Sequence, residues 1–431
     1  MIISKEKIIE HFKSGIKEKK DFKIGIEHEK FLFNNKDNTR INYEKVKEMF
    51  TALIEFGWNP ILENGNIIGL NNGDKNISLE PGNQIELSGE KLNHIHEACA
   101  ESQDYLFELR QVTKKLNIKI VSAGFDPISK INQIPNNPKQ RYKLMTEEMP
   151  LGGEMSLDMM YRTCGTQLNL DYESEIDFIK KFKIINSIVP ISIALFANSS
   201  IVEKKNSNYL SYRSKVWQNT SRGGLPKIFF EELNFEKYAD FVIQFPILFI
   251  QEKENYISGK KYVFKDFMDG KISEVSNRMP NKDDLSNHLS TIFTENRLKQ
   301  YIELRSMDTC GWDCLCAGPA FYTGLLYGNL EEVYEVISNW DKDKIINAYL
   351  EAPKKGFSAQ LMGKDLLYWA SKLLDLSRKG LENRDILNKS GKNETIFLRH
   401  LQNVIDNKTT NADHMINKFS KKEDLSELYD K

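Results

Sequence analysis

The sequence predicts a large unit of mixed strands and helices with a helical appendix at its C-terminal end. Three observations predict it. Several short runs alternate polar and apolar residues with a period of two, the pattern of strands that bury one face. Longer stretches of helical periodicity separate them, and from Pro319 onward the pattern is helical (321–327, 342–350, 364–376 and 395–405). The 431 residues allow two or three domains, yet no Pro-, Gly- or Ser-rich linker divides them, so a single unit is an equal reading.

The most informative run is Ile24-Gly25-Ile26-Glu27-His28-Glu29-Lys30-Phe31-Leu32-Phe33. Its β-branched and aromatic residues mark a strand, so Glu27 and Glu29, two apart, share a face. Neighbouring carboxylates repel unless cations lie between them, and hard oxygen ligands suit Mg2+ or Mn2+. The competing reading is a solvated strand face. The arrangement recurs. Ile77 to Ser88 reads as two strand pieces around Pro81-Gly82, with Glu80 and Glu86 an even number of residues apart, although a turn between them leaves their common face open. Gln167 and Asn169 alternate with apolar neighbours in 163–170, and so do Glu303 and Arg305 in 301–305. Together these strands predict a sheet with one polar, working face.

In chain order, helices are predicted over 5–17, 43–56 and 92–116. The last carries His94 and His96, which diverge by about 200° on a helix and are assigned to the surface. A strand over 118–124 and a loop rich in Asn and Pro lead to Arg141. Ser174-Glu175-Ile176-Asp177 resembles a capping box opening a helix that runs towards Pro190, and 188–196 is apolar nearly all round and therefore buried. Arg213 and Trp217 stand one helical turn apart, as a fork for a substrate carboxylate beside an apolar wall or as ordinary cation–π packing. Arg141 is a second fork. Helices over 235–249 and 284–293 precede the Glu303 strand. Cys310, Cys314 and Cys316 cluster around Gly311-Trp312, but no fourth Cys or His lies nearby to complete a zinc site.

Composition excludes several classes. Sixty basic residues against 61 acidic ones, scattered along the chain, argue against nucleic acid as a partner. The start, Met1 to Lys7, has no apolar signal core, and 188–197 is too short to span a bilayer, so a cytoplasmic protein without membrane contact is expected. Five cysteines in this length point to no disulfide scaffold. Neither a Walker loop, a Gly-x-Gly-x-x-Gly turn nor a Gly-x-Ser-x-Gly elbow occurs. A nucleotide, if bound, has to be held through metals and side chains of the sheet, with Arg305 neutralising charge on a transferred group.

At this point a resemblance appears. Residues 24–31, 78–89, 159–170, 194–199, 209–217 and 301–305 closely resemble, in order, the plant-type glutamate-cysteine ligases, a type also found in proteobacteria. The resemblance implies an α+β fold related to the glutamine synthetase catalytic core: a curved, largely antiparallel sheet forming a funnel, backed by helices. It divides the chain into a catalytic core over 1–330 and a helical region over 331–431 packed on it. It implies ATP-dependent phosphorylation of the side-chain carboxylate of L-glutamate, followed by attack of the amine of L-cysteine to give γ-glutamylcysteine, the first step towards glutathione.

By the same resemblance Glu27, Glu29, Glu80, Glu86 and Glu303 are metal ligands for Mg2+ or Mn2+, and Gln167 projects into the site. Glu27 and Arg305 contact the nucleotide, and Glu303 and Arg305 are the catalytic pair. Arg141 and Arg213 hold substrate carboxylates, and Trp217 lines the cysteine pocket. The segment 218–226 is shorter than the corresponding plant loop, and redox switching by disulfides is not carried over. A monomer or homodimer is expected. The alternatives are another amine acceptor on the same fold, a metal-dependent hydrolase, and a binding protein without catalysis.

Overall fold

The computed structural model describes residues 2–253, 255–422 and 425–429; Met1 and residues 430–431, which the sequence reading used, lie outside them. Nine strands form one sheet: β1 (Ile24–Asn34), β2 (Asn59–Glu63), β3 (Asn66–Asn72), β4 (Lys75–Leu79), β5 (Ile85–Ser88), β6 (Ile118–Val121), β7 (Gly165–Leu170), β8 (Asn296–Leu298) and β9 (Ile302–Asp308). Their order is β8-β9-β7-β1-β5-β4-β3-β2, with β6 also paired to β1. Every pairing is antiparallel. The 11-residue β1 is the hub: its first half pairs with β7 and β5, its second half with β6.

The α+β class and the antiparallel pairing agree with expectation, whereas the curved, funnel-forming sheet is corrected. The sheet is an open layer whose end strands β8 and β2 do not meet. Closure requires hydrogen bonding between the two edges. At one edge β2 carries Pro60, which has no N–H to donate, and at the other β8 is three residues long. The hollow above the sheet is walled by helices and loops instead.

Period-two alternation puts Ile24, Ile26, Leu168, Leu170, Ile302 and Leu304 on the apolar face, in one core cluster with the helices Glu175–Ser187 and Val189–Leu195. Further along the sheet Ile77, Leu79, Ile85 and Leu87 pack against Val46 and Phe50 of the helix Tyr43–Leu53 and Leu109 of the helix Ile95–Lys115. The C-terminal helices share the first cluster: Ile345, Leu373 and Leu374 belong to it with the sheet residues. No described helix is long and apolar enough to cross a membrane.

Three local readings change. The first helix ends at Lys13, short of Lys17: Ser14 is its C-cap, and the next residues turn to pair with Tyr172, through the Ile16 bridge and the Lys17 N–H donating to the Tyr172 carbonyl at 3.1 Å. His94 and His96 are half-buried: His94 caps its helix by accepting the Glu97 N–H at 3.2 Å, and His96 packs on Phe397. Four of the five cysteines pair, Cys99 with Cys316 and Cys310 with Cys314, leaving Cys164 free and buried.

Gly380, inside the helix Leu366–Arg384, tests the packing of the C-terminal helices. Helix propensity alone makes Gly→Ala stabilising by about 1 kcal/mol. A Cβ there, however, falls 1.9 Å from the Gly324 carbonyl oxygen. Gly380→Ala is therefore expected to lower the melting temperature; an unchanged or raised value in a thermal melt refutes this packing.

Candidate active site

The sheet register builds the site. On the polar face Glu29 of β1 stands opposite Glu86 of β5, and Glu27 stands opposite Gln167 of β7. One row further, Asn169 faces Glu303 of β9, which in turn faces Arg297 of β8. Glu80 leaves the end of β4 in a turn, where its N–H donates to the Gln84 carbonyl at 2.8 Å and its carbonyl accepts the Asn83 N–H. That turn swings Glu80 to the same side as Glu86. Strand spacing alone left its direction open.

Most of these side chains border one cavity of about 210 Å3, Asn169 and Glu303 excepted. Glu27, Glu29, Glu80, Glu86, Gln167 and Arg305 form its floor and sides, and Arg141 and Trp217 reach it from outside the sheet. Met145, Met159, Met160, Phe249 and Phe293 supply apolar wall. Two expected residues are not on its surface. Glu303 is fully buried, its oxygens engaged by Arg297 at 2.8 Å, Lys299 at 2.9 Å, and Arg305. Arg213 lies behind the wall, donating from Nη2 to the Arg305 carbonyl at 2.7 Å, with Nε and Nη1 buried and free of partners among the described residues. Trp217 sits between two cations, 5.1 Å from Arg213 and 5.3 Å from Arg305.

A hydrogen-bonded lattice fixes the carboxylates. Asn169 Nδ2 donates to Glu27 at 2.7 Å, Gln167 Nε2 donates to Glu86 at 2.8 Å, and the Gly165 N–H donates to Glu29. Arg305 donates to both Gln167 and Glu303. Tyr142 joins the two ends of the cavity: its hydroxyl accepts from Arg141 at 2.9 Å and lies 3.1 Å from Glu80. Sequence reasoning missed Tyr142, although it adjoins Arg141, because a lone Tyr on a helix reads as packing. Arg297 was missed because the three residues of β8 are too few to show alternation.

Electrostatics follow. Burial raises the Glu29 carboxyl to about 7, with Glu80 adding repulsion. Burial and then Glu27 hold Glu86 well above the ordinary range, and burial and then Glu303 raise Glu27. Burial also disfavours charge on Glu303, but Arg297, Lys299 and Arg305 outweigh it and hold that carboxyl well below the ordinary value. Glu27, Glu29 and Glu86, crowded together and resisting ionisation, are a donor set short of positive charge. Among the described residues no three His, Cys, Asp or Glu side chains converge tightly enough to cage an ion alone. Mg2+ does not require such a cage, since it usually takes one or two carboxylates together with phosphate oxygens and water. The donor chemistry fits it on those terms.

The sequence profile of Glutamate-cysteine ligase family 2 (GCS2) matches residues 23–431. Glutamate-cysteine ligase B, chloroplastic, of Oryza sativa subsp. japonica is 38% identical over 426 residues, covering 97% of this chain and 85% of that one. The chloroplastic glutamate-cysteine ligase of Arabidopsis thaliana is 36% identical over 424 residues, covering 97% and 80%. The crystal structure of a glutamate-cysteine ligase from Francisella tularensis in complex with AMP superposes with a TM-score of 0.54 at 13% identity, over 94% of this chain and 86% of that one, which establishes likeness of fold. The sequence relatives are chloroplastic proteins, and this overturns the expectation of a cytoplasmic protein. A compartment is set by targeting signals that composition and fold do not record.

The raised carboxyls carry a pH signature. Glu29 binds its proton more tightly folded, about 7, than unfolded, near 4.5, so its stabilising contribution is complete below 4.5 and is lost as pH rises through 7. A divalent cation bound there would replace the missing proton as counter-charge. Added Mg2+ is expected to raise the melting temperature at about pH 8 and to leave it nearly unchanged at about pH 5. Equal shifts at both pH values, read by a thermal melt, contradict the assignment.

Proposed function

The chain belongs to glutamate-cysteine ligase family 2, and from that premise we propose how its polar sheet face serves the reaction. The enzyme joins the γ-carboxylate of L-glutamate to the amine of L-cysteine with cleavage of ATP to ADP and phosphate, giving γ-glutamylcysteine. A free carboxylate is a poor acyl donor, because oxide is a poor leaving group. Transfer of the γ-phosphoryl group makes an acyl phosphate, and the cysteine amine then displaces phosphate from the carbonyl carbon.

The reaction brings an anionic triphosphate against an anionic amino acid, so the site has to supply positive charge. The observation that carries the assignment is the single cavity bordered by Glu27, Glu29, Glu80 and Glu86 together with Arg141 and Arg305. In this reading the four glutamates would hold Mg2+ (or Mn2+), which would supply positive charge against the phosphates. Arg305, aimed by Glu303 and Gln167, stabilises the transferring phosphoryl group. Glu303 joins the metal set only by exchanging one of its ion pairs; in the arrangement seen it orients Arg297, Lys299 and Arg305. Arg141 and Arg213 hold substrate carboxylates, and Trp217 with the methionine and phenylalanine wall faces the side chain of cysteine and keeps water from the acyl phosphate. The core shared by sheet and C-terminal helices supports 331–431 as a buttress of the core over 1–330.

Phosphate release from ATP is the test. It is expected to require both glutamate and cysteine, and release without an amine points instead to hydrolysis. Glu27→Gln is expected to lower kcat/KM by ~100-fold or more while leaving the fold intact by circular dichroism. Activity of that variant within about twofold of the parent removes Glu27 from the metal set.

A further inference from the structure

Beyond Arg305, strand β9 ends in Asp308, which is 2% exposed and lies outside the cavity lining. Its carboxylate accepts three hydrogen bonds, from Ser199 Oγ at 2.6 Å and the Asn198 N–H at 2.9 Å on Oδ2, and from Ser211 Oγ at 2.9 Å on Oδ1. Both hydroxyls face onward to the helix Tyr212–Gln218. Ser199 Oγ accepts the Arg213 N–H at 3.1 Å, and Ser211, the N-cap, accepts the Ser214 N–H at 3.2 Å. Two of the N–H groups that a helix leaves open in its first turn thus end on a relay that terminates in one carboxylate.

The packing leaves this carboxylate no second position. A Cβ on Gly124 would lie 2.4 Å from its Cγ, so backbone is pressed directly against it. The helix it anchors carries both Arg213 and Trp217, and the head of Arg213 is tied back to the same strand through the Arg305 carbonyl at 2.7 Å. Gly165 closes the remaining side, where a Cβ would fall 2.8 Å from Arg213 Nη2. What is left of the guanidinium, Nε and Nη1, is buried behind the cavity wall with no hydrogen-bond partner among the described residues, its Cζ 5.1 Å from the centre of the Trp217 ring that lines the cavity.

We propose that Asp308 is a positioning residue of the ligase, holding Arg213 and Trp217 in register with the catalytic strand through Ser199 and Ser211. The proposal rests on the reading of Arg213 as a group that holds a substrate carboxylate. Asp308 itself touches no substrate.

The experiment compares steady-state constants for glutamate, cysteine and ATP in the full chain carrying Asp308→Asn, Ser199→Ala, Ser211→Ala or Arg213→Ala. An amide presents an N–H edge where one carboxylate oxygen accepted, so Asp308→Asn sets donor against donor. Asp308→Asn is expected to raise the KM of the amino acid held by Arg213 by about tenfold or more, with kcat falling less and the KM for ATP within about twofold of the parent. The two serine variants are expected to raise the same KM by smaller factors. If Asp308→Asn does not fold, the serine variants decide. A rise with Arg213→Ala but none with the Asp308 or serine variants overturns the positioning role alone. No rise with Arg213→Ala overturns the substrate reading and this proposal with it. A uniform loss of kcat with all three KM values unchanged marks Asp308 as structural only.

Discussion

Everything in this protein is arranged around like charges held close together in a low-polarity hollow. Glu29 and Glu86 face each other across a strand pair, next to Glu27 and with Glu80 above. At a cross-strand separation of about 5 Å and an effective dielectric constant of about 20, two ionised carboxylates repel by about 3 kcal/mol. That exceeds what one neutral hydrogen bond returns, so amide and backbone donors alone do not balance the group. The acids keep protons or acquire cations, and Arg305, bonded to Gln167 and Glu303, supplies part of the positive charge.

The rest of the fold keeps that arrangement rigid. An open sheet by itself offers no enclosure, so depth comes from the helices and loops that carry Arg141, Trp217, Phe249 and Phe293 over the polar face. The apolar face is covered on the other side by two core clusters, one of which extends into the C-terminal helices. Glu27, Glu29 and Glu86 sit on β1 and its neighbour β5, in the middle of the strand order, where backbone hydrogen bonds on both sides resist movement.

Period-two alternation made the working face legible in the sequence: Glu27, Glu29, Gln167, Asn169, Glu303 and Arg305 all lie on the side that spacing assigns them. What was not legible depends on distance in sequence. The pairing of Cys99 with Cys316 spans 217 residues and leaves no local pattern. Glu303 is engaged by Arg297, on a strand too short to announce itself, and by Lys299 in the turn just after it. The direction of Glu80 is set by a turn, and periodicity stops at turns. The curvature expected of the sheet came from likeness to a fold rather than from these residues, and the free edge at Pro60 shows why it failed.

The strand order also dictates when the site can come into being. All four cavity carboxylates lie before residue 90, whereas Arg213, Arg297 and Arg305 all come after residue 210. β7 bridges β1 on one side and β9 on the other, so the central layer cannot be completed before residue 308 has left the ribosome. Until then the nascent chain holds an incomplete sheet edge and an unbalanced cluster of acids, and loop closure over long separations makes such topologies slow to fold.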